Sequence, residues 1–119
     1  MIISEIEKKV LDITTEDFCG LWEILSIVEL FYQNESLENL KVHVEALVRS
    51  LTERELVKFY RGTVFSGEQL AMDSVAEINE VFSKLDNWNP NLGVSREHVR
   101  IAATDYGEQI YCELQPPAP

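Results

Sequence analysis

Apolar residues recur at steps of three and four through the first half of the chain, and this is the spacing of helix faces. Ile6, Val10 and Ile13 predict a short helix over 4–12, opened by Ser4 and Glu7 in the order of a capping box. Phe18, Leu21 or Trp22, Leu25, Val28 and Tyr32 mark one face of a second helix over 16–32. Ile24, Ile27, Leu30 and Phe31 mark another face of it, so this helix is expected to be central and packed on most sides. Gly20 inside it would let another helix approach. After the turn "QNES", Ser36 is a candidate N-cap. Leu37, Leu40, Val44, Leu47 or Val48, and Leu51 then predict a third helix from Leu37 to about Leu51 or Arg54.

The period changes to two in "LVKFYRG", where Val57 and Phe59 alternate with Lys58 and Tyr60. This predicts a half-buried strand ending near Gly62. "TVFSG" suits either a short strand or a loop. Ser74 with Glu77 repeats the capping-box order and opens a helix to about Leu85, with Val75, Ile78, Val81 or Phe82, and Leu85 as its stripe. "DNWNPNLG" is a loop by composition, with Trp88 expected to fold back onto the core. Val99, Ile101 and Ala103 alternate with Arg100 and Ala102 as a strand, and Thr104 caps a last helix through Tyr111. The chain is expected to form one domain over 1–114, with a flexible tail at 115–119.

The 119 residues, 45% of them hydrophobic, can build one core without disulfides or metal. Cys19 and Cys112 stand far apart and match no redox or metal spacing, so free thiols of a reducing cytosol are expected. "MIISEIEKKV" does not have the form of a signal peptide, because Glu5 and Glu7 interrupt it and Lys8 and Lys9 come late. The longest apolar stretch, Gly20 to Tyr32, is broken by Glu23, Ser26 and Glu29, so no membrane span and a cytoplasmic location are expected.

The segments "LENLKVHVEALVRSLTERELVKFYRG" and "VRIAATDYGEQIY" resemble winged-helix regulators of the multidrug-resistance and phenolic-acid repressor type. In those proteins a Leu-rich helix leads into one wing strand, and the second wing strand runs into a Thr- and Gly-bearing helix start. The resemblance covers roughly residues 18–62 and 98–111. It implies an α+β, mainly helical fold of three N-terminal helices and a small antiparallel sheet. It also implies a DNA-reading ancestry for that fold.

Three departures bear on the implied function. Residues 37–51 show no break at which a helix-turn-helix could turn. Glu55 stands where the regulators usually have Gly, so the helix exit is expected to avoid the left-handed backbone that Gly allows. The excursion between the two wing strands, about 62–98, is long enough to hold a whole helix.

Charge also argues against DNA. Ten Lys and Arg face 21 Asp and Glu, a formal net charge of -11. Affinity for DNA depends on cations that neutralise phosphates. Residues 35–55 offer Lys41, Arg49 and Arg54 against Glu35, Glu38, Glu45, Glu53 and Glu55. A DNA-binding regulator remains the alternative if Arg54, Lys58, Arg61 and Arg100 gather into one patch. Within the excursion, residues 62–95 carry Glu68, Asp73, Glu77, Glu80 and Asp86 against Lys84, and these five carboxylates are the expected partner-binding residues.

In size and charge the chain is similar to bacterial immunity proteins, which neutralise cationic toxins that are secreted or delivered by contact. Where such a toxin is a nuclease, carboxylates can mimic its phosphate substrate. The expected function is therefore a protein-binding module of this immunity type, with a basic protein partner and no specific nucleic-acid binding. No enzyme is expected. His43 and His98 are isolated, no nucleophile–base arrangement or phosphate loop is present, and nothing calls for a metal or cofactor. Thr104 and Asp105 look like helix-start residues.

Overall fold

A computed structural model describes residues 1–63, 69–72, 74–89 and 97–116. Three helices come first: α1 (Glu5–Glu16), α2 (Leu21–Phe31) and α3 (Leu37–Glu53). The Ser4–Glu7 capping box forms, with the Ser4 N–H donating to the Glu7 carboxylate at 2.9 Å and the Glu7 N–H to Ser4 Oγ at 3.3 Å. α1 runs a turn further than the periodicity predicts, to Glu16, and buries Val10, Leu11 and Thr14. The Thr14 hydroxyl is satisfied within the helix, donating to the Val10 carbonyl at 2.8 Å.

The predicted 16–32 helix is shorter than expected. Asp17 to Gly20 form an irregular link, and α2 begins at Leu21. The cause is tertiary: the Cys19 N–H donates to the Ile101 carbonyl at 2.8 Å, and the Ile101 N–H returns to Cys19 at 2.7 Å. That two-way pairing holds the backbone extended. Gly20 then caps α2, its N–H bound by the Glu23 carboxylate at 2.8 Å. Gly20 does not admit another helix. The Trp22 ring lies against it, where any Cβ would collide.

α3 is unbroken, as its stripe predicts, and buries Leu40, Val44, Val48 and Leu51. Its exit corrects the expectation for Glu55, which does adopt the left-handed backbone, with φ 60°. The Leu56 N–H bonds the Leu51 carbonyl at 2.9 Å and the Glu55 N–H bonds that of Thr52 at 3.0 Å. These are the paired bonds of a Schellman motif, and the fully buried Leu56 supplies its hydrophobic seal.

A three-stranded antiparallel sheet follows, β1 (Val57–Thr63), β2 (Gln69–Met72) and β3 (Glu97–Ala103), in the order β2-β1-β3. β1 and β3 pair from Val57↔Ala103 to Thr63↔Glu97, so the two strands that flank the excursion are direct neighbours. β2 pairs with β1 from Phe59↔Met72 to Gly62↔Gln69. "TVFSG" falls largely outside the described residues.

The excursion also contains α4 (Val75–Ser83) and a 3-10 turn (Leu85–Trp88). The Ser74 hydroxyl accepts the Glu77 N–H, but the Glu77 carboxylate turns to Arg61, so the expected reciprocal box is replaced by an ion pair. Trp88 does fold back, donating its indole N–H to the Phe82 carbonyl at 3.1 Å.

α5 (Asp105–Leu114) closes the fold against α1. Thr104 caps it, and the Tyr111 hydroxyl donates to the Asp12 carboxylate. The sheet face that carries Val57, Phe59 and Ile101 packs on the helices, and Met72 and Val81 from the excursion complete that core. The architecture is α+β and mostly helical, with five α-helices and one small antiparallel sheet among the described residues. Of the expected tail, 117–119 fall outside those residues.

Candidate interaction surface

Alternation along β1 puts Arg61 on the same sheet face as the buried Phe59, at the end nearer α4. There its guanidinium meets the Glu77 carboxylate at 3.0 Å. Glu80 lies one turn further along α4 and reaches Lys84 at 3.7 Å. Asp86 follows in the 3-10 turn, which is pinned to α4 by the Asn87 side chain donating to the Val81 carbonyl at 2.9 Å. Glu77, Glu80 and Asp86 thus line one hollow of about 200 Å³, together with Arg61 and Lys84. The structure brings these three expected carboxylates together, while Glu68 and Asp73 lie outside the described residues.

The hollow is acidic with two counter-ions. Arg61 is the residue that counting charges along the excursion misses, because it enters from β1. Its position was still readable, since alternation from Phe59 sets the face. Both ion pairs are substantially exposed, so they contribute little to stability and can exchange for ions on a partner. α4 is fastened to α3 from the other side, where Arg49 donates to Asn79 at 2.9 Å and lies over the Phe82 ring at 4.9 Å.

Arg54, Lys58, Arg61 and Arg100 do not assemble into a patch. Arg54 pairs with Glu7 and donates to the Ile2 carbonyl at the far end of α3. Tyr60 is opposite Arg100 in the ladder and Arg61 is opposite Val99, so Arg61 and Arg100 project from opposite faces. Arg100 lies over the Trp22 ring at 5.2 Å, and Lys58 is exposed on Arg100's face.

A second, larger groove of about 710 Å³ opens where α3 ends and α5 begins. Its rim includes Thr52, Glu55, Lys58, Asp105 and Tyr106. Sequence reasoning missed it because it joins the ends of separate elements.

Both histidines and the Cys19 thiol are engaged or shielded. His43 bonds Glu35 at 2.7 Å and stacks on Tyr32, and His98 is buried in β3. Burial, then the nearby Glu23 and Asp17 charges, push the Cys19 thiol up to about 12, which leaves it protonated and a poor nucleophile. Cys112 is exposed, and neither cysteine is in a disulfide. Among the described residues no group of three or more His, Cys, Asp or Glu is placed to hold a metal ion. No described helix is long and apolar enough to cross a membrane. No family model, curated protein or solved structure matches the chain.

Proposed function

We propose that the chain is a protein-binding module that docks a cationic protein, in the manner of an immunity protein neutralising a basic bacterial toxin. The observation that supports this best is the disposition of charge. Carboxylates outnumber cations about two to one, and Arg49, Arg54, Arg61 and Lys84 are held in internal ion pairs. Lys41 and Arg100 lie over the rings of Trp88 and Trp22. With a formal net charge of -11 the surface is negative overall, which speeds encounter with a basic protein and repels phosphate. Free thiols suit a reducing cytoplasm.

The alternative is a winged-helix DNA-binding regulator. The order of elements favours it: α2, a short turn, α3, then β1 and β3 as adjacent antiparallel strands, with the extended link at Cys19 joining β3. Against it, the outward side of α3 carries Glu38, Glu45 and Glu53, with Arg49 committed to Glu45 and Asn79. The excursion is then a wing enlarged by β2 and α4.

The deciding experiment is affinity capture of the partner, followed by co-expression. A captured basic protein whose toxicity this chain relieves supports the immunity reading. Sub-micromolar, sequence-selective binding to duplex DNA in a shift assay at physiological salt overturns it.

A further inference from the structure

At the corner between α2 and α3, the apolar stripes run past the core. Phe31 lies one turn beyond the buried Ile27 and Val28, and Leu37 one turn before the buried Leu40. Even so, Phe31 is 47% exposed, Leu37 is 52% exposed and the neighbouring Leu30 is 68% exposed. Each leaves large apolar surface uncovered where α2 ends and α3 begins. Leu37 shares a shallow hollow with Tyr32, Glu29 and Glu35.

The surroundings have one sign of charge. Between Val10 and Leu40 the chain holds seven Asp or Glu and no Lys or Arg. Glu29, Glu35 and Glu38 ring the corner, and all three are exposed. The nearest cation in sequence, Lys41, lies over Trp88. His43 is occupied by Glu35 and Tyr32.

We infer that this corner is the anchoring half of the interface and seats an apolar side chain flanked by Lys or Arg on the partner protein. An apolar centre with an acidic rim complements a basic amphipathic segment. Two copies of this chain would set Glu29, Glu35 and Glu38 against their own like charges, and an anionic membrane would be repelled in the same way. The inference rests on the reading of the chain as a binder of cationic proteins, and it adds where the desolvated contact is made. The hollow of Glu77, Glu80 and Asp86 steers, and the corner holds.

The test titrates the isotope-labelled protein with a synthetic amphipathic helical peptide of Leu and Lys, and with an all-Lys peptide of equal charge. The Leu/Lys peptide is expected to shift amide resonances at 29–38 and to bind more tightly. Leu30→Ser with Leu37→Ser should weaken it about tenfold without changing all-Lys binding. Both positions are exposed, and circular dichroism checks the fold. Glu29→Lys with Glu38→Lys should weaken both peptides. Shifts confined to 74–88 overturn the corner while leaving the cationic-partner reading intact. Failure of both peptides to bind at low salt overturns both readings. A dimer in sedimentation that Leu37→Ser dissolves places a second copy at the corner and overturns the inference.

Discussion

The Thr104 hydroxyl donates to the Glu55 carbonyl at 2.6 Å while accepting the Gly107 N–H at 2.9 Å. One oxygen therefore caps α5 and ties it to the exit of α3. The Thr104 N–H adds a bond to the Leu56 carbonyl at 3.0 Å. Thr104→Val keeps the shape and removes both hydroxyl roles. The expected loss is about 2 kcal/mol, seen as a lower urea midpoint with an unchanged slope. Thr104→Ser should retain most of the stability.

Gly107 packs where a Cβ would run into the Leu56 carbonyl. That carbonyl is fixed by its bond from Thr104, so it cannot swing aside like a flexible side chain. In an open helix, Gly→Ala stabilises by about 1 kcal/mol. Here the sign should reverse, with Gly107→Ala costing roughly 1–3 kcal/mol. Thermal unfolding of the variant reads the sign directly.

Glu55 holds a left-handed backbone that a side chain makes costly. Glu55→Gly should relieve that strain, partly offset by the greater freedom of Gly in the unfolded chain, for a net gain of about 0.5–1 kcal/mol. Glu55→Val, β-branched in the same place, should lose stability. A denaturation series of the two variants checks the pair of opposite signs.

The raised Cys19 thiol makes stability depend on alkaline pH. Its value moves from 9.0 in the unfolded chain to about 12 in the fold. Below pH 9 both states hold the proton and the contribution is constant. Between about 9 and 12 the unfolded chain loses the proton first, so stability falls as pH rises. Tyr111 is raised in the same direction, first by its hydrogen bond to Asp12, and adds to the fall. Cys19→Ala should flatten the loss between pH 9 and 11 in equilibrium unfolding. In the native protein at pH 8, iodoacetamide should modify Cys112 well before Cys19.

What was legible in the sequence is what short-range chemistry decides. Ser4, Ser36, Ser74 and Thr104 all cap helices where their positions predict, because a cap needs only the next few residues. The alternation of Val57 to Tyr60 and Val99 to Ala103 marks β1 and β3 correctly. The break at Asp17–Gly20 was hidden because it is imposed by Ile101, far away in the chain. The turn at Glu55 was hidden because its bonds, and not its residue type, hold the left-handed backbone. Of the candidate site, the spacing of Glu77 and Glu80 on one helix was readable. Their meeting with Arg61 and Asp86 depends on how α4 lies across β1 and β3.

The bridge between Cys19 and Ile101 has a consequence for synthesis. As the chain leaves the ribosome, α1 and α2 emerge long before the strand that satisfies the backbone between them. Until residues 97–114 arrive, Val10 and Leu11 lack the sheet and α5 that cover them, and the Cys19 thiol is open to oxidants and electrophiles. The packing of α1 is therefore complete only once β3 and α5 are in place. A ribosome stall between α4 and β3 would leave a chain that chaperones and proteases recognise as unfinished.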